Sequence, residues 1–197
     1  MAGMPKPRLA LAEPSHSPKG VGLLPVTITR PELLVGGSDR TFRRFIYDLH
    51  TLFRNMDKLR DRIGSALGLT GNQFHILLVL AELQEARAVT VKAIAEALQT
   101  SGTYVTKETS GLEQRGLLKK SVNPEDRREV IVSLTPKGRA GIKRIAGNLP
   151  RINDRLFEGI TAGQIENFRD MVALMLDHME GAMEAAGEIR KTPRKNA

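Results

Sequence analysis

Between Thr90 and Pro136 the apolar positions switch from a helical period to a strand period, and the switch predicts the most informative part of the chain. Val91, Ile94, Ala95 and Leu98 recur at i, i+3, i+4 and i+7, one face of a short helix that Thr90 can cap. A second short helix follows from Ser101, its expected cap. Val105 and Leu112 point inward two turns apart, and Gly116 stands where a left-handed stop is wanted. Past Gly116 the period falls to two. Leu117 to Val122 and Val130 to Leu134 read as strands, with Val130, Val132 and Leu134 on one face and Ile131 and Ser133 on the other. Between them, Asn123-Pro124-Glu125-Asp126-Arg127-Arg128 opens on a turn signal and forms a charged hairpin tip. Two short helices and such a hairpin describe a winged helix-turn-helix, whose second helix can enter a DNA major groove. On periodicity alone the plainer reading stays open, because helix pairs are common and a basic tip is usually just solvated.

The flanks are helical. From Ser38 or Asp39 a stripe of Phe42, Phe45, Ile46, Leu49, Leu52, Phe53, Met56, Leu59 and Ile63 runs to a stop at Gly68. About 28 residues at about 1.5 Å each predict a rod of about 40 Å, too long to bury in one small subunit and so read as a dimerisation helix. Thr70-Gly71-Asn72-Gln73 has the pattern of a capping box, and Phe74, Ile76, Leu77, Val79, Leu80 and Leu83 make the helix behind it apolar nearly all round, hence central. Thr135-Pro136 starts another helix, which Pro150 should kink or break. Thr161-Ala162-Gly163-Gln164 repeats the box before a single last helix. Its seam is Ile165, Phe168, Val172, Met175, Leu176, Met179 and Met183, read as core or dimer interface. Residues 1–37 hold six of the ten prolines and no helical period, which predicts a disordered or extended arm. Its Lys6, Arg8, Lys19 and Arg30 can brush a DNA backbone, and Leu23, Leu24, Val26 and Ile28 can pack on a partner; a solvated tail is the simpler alternative.

Composition narrows the function. The 197 residues are 41% hydrophobic, enough for one cored domain with tails, and carry a net charge of +8, which favours a polyanionic partner. With no cysteine there is no disulfide, thiolate metal site or thiol switch. No apolar run is long enough to span a membrane and no signal peptide is visible, so a cytoplasmic protein is the default. Gly-rich phosphate loops, His/Cys clusters and a Ser-His-Asp order are all missing, and four scattered histidines do not make a zinc site, so no enzyme, metal or cofactor is expected.

Assembled, the long first helix, Leu69-Thr70 with Gln73-Phe74 and Leu77, the winged unit, the wing NPEDRREVIVSLTPKGR and the closing helices resemble the MarR family of transcriptional regulators over about residues 39–186. The resemblance implies a mainly α fold with a small β-hairpin wing, a winged helix-turn-helix with flanking dimerisation helices. It divides the chain into a Pro-rich arm (1–37), a dimerisation helix (38–68), a DNA-binding region (69–136), closing dimerisation helices (137–188) and a basic tail (189–197). It further implies a homodimer on a pseudo-palindromic operator in double-stranded DNA. Such a regulator is usually a repressor released by a small acidic aromatic effector, a CoA thioester of such an acid included. Glu108 departs from the family pattern, which has an aliphatic residue there; buried, it would need Arg115 or a wing lysine as partner.

By resemblance and helical geometry, Ser101, Thr103, Tyr104, Thr106 and Lys107 form the outer face of the recognition helix, Lys107 reaching either a guanine edge or a phosphate. Arg128 at the wing tip is expected in the minor groove, Asp126 orients it by a salt bridge, and Arg127 meets a phosphate. Lys119, Lys120, Lys137 and Arg139 add backbone contacts. The effector site is expected around Arg43, Arg44, Tyr47, His50, Phe74 and His75, where arginine would pair with a carboxylate and rings would stack. Each of these six also has an ordinary reading as core or solvated surface. Two rivals remain: a ligand-independent architectural DNA-binding protein, and a membrane-surface protein, against which the basic residues are not gathered on one amphipathic helix.

Overall fold

The computed structural model describes residues 26–85 and 88–189. Eight helices and three strands occur there: α1 (Arg40–Ser65), α2 (Gly71–Gln84), β1 (Val89–Thr90), α3 (Val91–Ala97), α4 (Gly102–Gln114), β2 (Leu118–Val122), β3 (Val130–Leu134), α5 (Pro136–Ala146), α6 (Leu149–Leu156), α7 (Ala162–Asp177) and α8 (Met179–Glu188). No helix of the described residues is long and apolar enough to cross a membrane. The arm residues Lys6, Arg8, Lys19, Leu23 and Leu24, and positions 190–197 of the tail, lie outside the described residues.

The core belongs to the winged unit. Ile76, Leu77 and Leu80 of α2, Ile94 of α3, Val105 and Leu112 of α4, and Leu118, Val132 and Leu134 of the sheet form one buried cluster. The helix starts are set by hydroxyls, as the sequence predicts. Thr90, Ser101 and Thr135 accept from Ala93, Tyr104 and Gly138 backbone N–H groups, satisfying donors that a first turn otherwise leaves open. Gly116, at φ +69°, ends α4 and turns the chain into β2. The hairpin pairs Leu118 with Leu134 through Val122 with Val130. Hydrophobic alternation does not reveal the third strand, because β1 has only two residues; Val89 and Thr90 pair with Val132 and Ile131 and close the sheet in the order β1-β3-β2.

Four expectations need correction. Residues 26–38 are not simply extended: Pro31–Leu33 form a 3-10 turn, and Thr27 donates from both its N–H and its hydroxyl to the Asp39 carboxylate, at 2.8 Å each. Asp39 is therefore the N-cap of α1 without capping it, its side chain being taken by Thr27 and, at 3.3 Å, Arg43. Only half of the first capping box forms. Thr70 accepts from the Gln73 N–H, but the Gln73 side chain turns toward Gly111 of α4 and leaves a buried oxygen without a partner. At Thr161 both halves form. Finally, the last helix is two helices, α7 and α8, separated at His178. The break before Pro150 occurs as expected, α5 ending at Ala146 and α6 starting at Leu149.

Candidate nucleic-acid interface

The helix-turn-helix forms because α3 and α4 share the core and a tight turn joins them. Gln99 in that turn holds φ +47°, a left-handed conformation that side chains disfavour. With Val105, Thr109 and Leu112 fully buried, α4 has a fixed rotation. Thr109 hides its hydroxyl by donating to the Val105 carbonyl at 2.7 Å, so this polar residue is part of the core rather than the surface. Ser101, Thr103, Thr106 and Lys107 then face solvent.

Tyr104 and Glu108 sit differently. Tyr104 is half-buried and packs against the core, its side chain sharing a cavity with Asn72; burial, and then the neighbouring Glu108 charge, push its hydroxyl above the usual phenol range. It belongs to the inner shoulder of α4, not the outer face. Glu108 is half-exposed rather than buried, so it has no need of the partner expected for it. Arg115 instead donates to the Gly68 carbonyl, and the Lys120 ammonium to the Ser110 hydroxyl at 2.8 Å.

The wing tip is built around Asp126. Its carboxylate accepts from the Arg128 N–H at 3.0 Å and from the guanidinium at 3.1 and 3.0 Å, while the Arg128 side chain remains 91% exposed. The Arg128 guanidinium holds the Asp126 carboxyl below the usual carboxylate range. A two-residue span fixed by a bidentate pair presents a guanidinium at the end of the hairpin with its stem already ordered. Arg127 is exposed beside it, and Asn123 braces the hairpin by donating to Glu129 at 3.0 Å. Between α3, α4 and the wing lies a groove of about 540 Å³ that Lys92, Thr106 and Arg128 line. Hydroxyls, an ammonium and a guanidinium on one concave side can donate to phosphates and to base edges. Of the other cations expected to reach a backbone, Lys119 is exposed, but Lys137 donates to the Arg115 carbonyl at 2.8 Å and Arg139 to the Leu134 carbonyl at 2.9 Å, so both also fasten helix and strand ends.

The six residues expected around an effector do not converge in this chain. Tyr47 and His50 line a dent on α1 with Arg54 and Asp57. Phe74 is only 2% exposed and Arg43 is paired with Asp39. His75 faces a separate cavity with Arg60, and Arg44 is half-buried on α1. The sequence reading assigned no role to Arg60, Asn72 and Thr109, and took Gly138 only as the end of the wing motif. Of these, Gly138 alone carried a signal, its place in the Leu134-Thr135-Pro136-Lys137-Gly138 stretch of the wing sequence.

The described residues include no group of three His, Asp or Glu side chains placed to hold a metal ion. A family model described as MarR family matches residues 67–129. An uncharacterized HTH-type transcriptional regulator of Bacillus subtilis, YdcH, is 31% identical over 122 residues, 59% of this chain and 81% of the relative. Among solved structures, the MepR–DNA complex of S. aureus superposes with a TM-score of 0.61 at 21% identity, over 68% of this chain and 96% of that one. A MarR mutant from E. coli complexed with operator DNA gives a TM-score of 0.60 at 21% identity, over 70% and 97%. The structural likenesses concern the fold.

Proposed function

The chain belongs to the MarR family of winged helix-turn-helix regulators, DNA-binding proteins of transcription, and from that premise we propose that it is a homodimeric repressor of a pseudo-palindromic operator. The observation that carries the reading is the apolar surface outside the winged unit. Phe45, Phe53 and Met56 of α1 and Phe168, Met175 and Met179 of α7 and α8 are each two-fifths exposed or more, and α7 and α8 pack chiefly on each other. Faces of this size on a lone subunit call for a second copy. Residues 38–68 and 137–188 supply the dimer, and 69–136 the DNA contacts. Ser101, Thr103, Thr106 and Lys107 then lie along the major groove, Tyr104 touches DNA only with its outer edge, and Arg128, aimed by Asp126, enters the minor groove with Arg127 on a phosphate.

A small acidic aromatic molecule, or its CoA thioester, is the proposed inducer. Its site would be completed by the partner subunit, since Tyr47, His50 and Arg44 lie along the helix that the partner would cover. Light scattering together with sequencing of genomic fragments retained by the purified chain tests the reading. A dimer retaining one short motif, with half-sites about one helical turn apart, supports it. Broad, salt-sensitive retention without a motif would favour the architectural alternative.

A further inference from the structure

Arg60, His75 and Tyr104 meet where α1, α2 and the α3–α4 turn converge, around a cavity of about 290 Å³ that Asn72 and Thr100 also line. Arg60 Nη1 lies 2.8 Å from His75 Nδ1. A guanidinium only donates, so Nδ1 must be the acceptor and the ring is neutral, with its proton on Nε2. Arg60 is paired in turn with Asp57 one helical turn earlier. Asn72, on the same turn of α2, and Tyr104 of α4 line the same cavity. The first turn of α2 is thus fastened to α1 through His75 and meets α4 at Tyr104, which packs against the core.

We propose that Arg60 is a positioning residue for DNA binding: by gripping neutral His75 it locks α2, and through Tyr104 the recognition helix, to the long first helix, and protonation of His75 opens the lock. The proposal rests on the homodimeric reading above, in which α1 carries the partner and its angle to α4 sets the distance between the two recognition helices. The charged and titratable groups that share the His75 cavity are Arg60 from α1 and Tyr104 from α4; Asp57 stands behind Arg60 and Glu108 beside Tyr104. A protonated ring loses its acceptor and stands a hydrogen-bond length from a second cation. Burial, and then the Arg60 charge, hold His75 below the usual imidazole range, so the lock is closed at neutral pH and opens only on acidification. Protonation of histidines elsewhere adds positive charge and by itself strengthens binding to a polyanion in acid. The lock predicts the opposite sign.

The test uses the full chain and a duplex that the chain itself selects from a random-sequence pool, titrated by fluorescence anisotropy at constant ionic strength. Wild-type affinity should fall about tenfold between about pH 7.5 and an acid end point well below the ordinary imidazole value, where the depressed His75 takes its proton. His75→Gln keeps an acceptor but cannot titrate, so the ratio of its two dissociation constants should collapse toward unity, whatever its absolute affinity. Arg60→Gln, on a half-exposed side chain that folding tolerates more readily, should bind at both pH values as the acidified wild type does. Wild-type binding that is unchanged or tighter in acid overturns the lock, as does a wild-type ratio in His75→Gln, or an Arg60→Gln chain that matches wild type at both pH values. A chain that selects no duplex at any pH refutes operator binding, and the lock with it.

Discussion

Gly138→Ala should destabilise the protein although it replaces a glycine in a helix. Gly138 lies in the first turn of α5, buried, where α5 crosses the start of β2. A methyl group built there overlaps the Leu117 carbonyl oxygen, comes within 3.0 Å of its carbon, and sits 3.3 Å from the Leu134 side chain. Neither of the first two atoms can rotate away, because they are backbone. The junction must therefore open, and two bonds span it: the Thr135 N–H to the Leu117 carbonyl at 3.1 Å and the Thr135 hydroxyl to the Gly116 carbonyl at 2.6 Å. Losing both costs about 2 kcal/mol at about 1 kcal/mol each. Overpacking adds about 1–3 kcal/mol. Helix propensity returns about 1 kcal/mol on replacing glycine by alanine. The net expectation is a loss of about 2–4 kcal/mol, read by urea denaturation at one fixed protein concentration because dimerisation would otherwise move the midpoint. A variant as stable as wild type, or more stable by the propensity gain, would refute the close-approach argument and leave the glycine as a mere helix weakness.

Arg128→Ala should weaken binding to a selected duplex at fixed salt by about tenfold or more, with the dimer unchanged by light scattering; unchanged affinity would remove the wing from the interface. Gln99→Gly should relieve the left-handed strain in the α3–α4 turn and stabilise by up to about 1 kcal/mol, the gain being reduced by the extra freedom of the unfolded chain; destabilisation in the same urea assay would mean the Gln99 side chain holds the turn. The Thr27 N–H, foremost, keeps the Asp39 carboxyl below its ordinary value. Because the folded-state value is the lower one, the clasp on residue 27 is fully present above the ordinary carboxylate value and is lost as pH falls through the depressed one. Asp39→Ala should accordingly speed cleavage between Val26 and Ser38 in limited proteolysis at neutral pH, and equal rates would show that the clasp does not hold the segment.

Local chemistry made most of the fold readable. Thr90, Ser101, Thr135 and Thr161 cap the helices expected of them because a capping hydroxyl needs only its own next three residues. Failures fall where a distant residue competes for the same atoms. Asp39 looks like a cap, but Thr27, twelve positions earlier, takes its carboxylate. Gln73 fits a capping box, yet its side chain lies against Gly111 on α4. The split at His178 has neither proline nor a left-handed glycine to announce it, since His178 keeps a right-handed conformation at φ -89° and ψ -3°. β1 was missed for lack of length: two residues cannot show a period, and its pairing is dictated by β3.

The recognition helix was half legible, and the unread half bears on how the molecule works. Periodicity identified Val105 and Leu112 as inward, which fixes Thr103, Thr106 and Lys107 outward. It misplaced Tyr104 on the outer face and Glu108 in the interior, because both lie on the flank between the two faces, where a few degrees of helix rotation decide exposure. That rotation is set by contacts no local pattern contains: Tyr104 packed beside α2 on one shoulder, Lys120 to Ser110 and to the Thr106 carbonyl on another, and Arg115 to Gly68 at the far end. Two of the three tie α4 to α2 or to the loop after α1, and only the second ties it to the wing. A change in the angle of α1 is therefore transmitted to both ends of α4, whereas the wing moves with the helix it is bonded to. Substitutions at Asn72 or Arg115 should alter how the recognition helix is presented while leaving its outer side chains intact, which is the behaviour expected of residues that govern affinity without reading sequence.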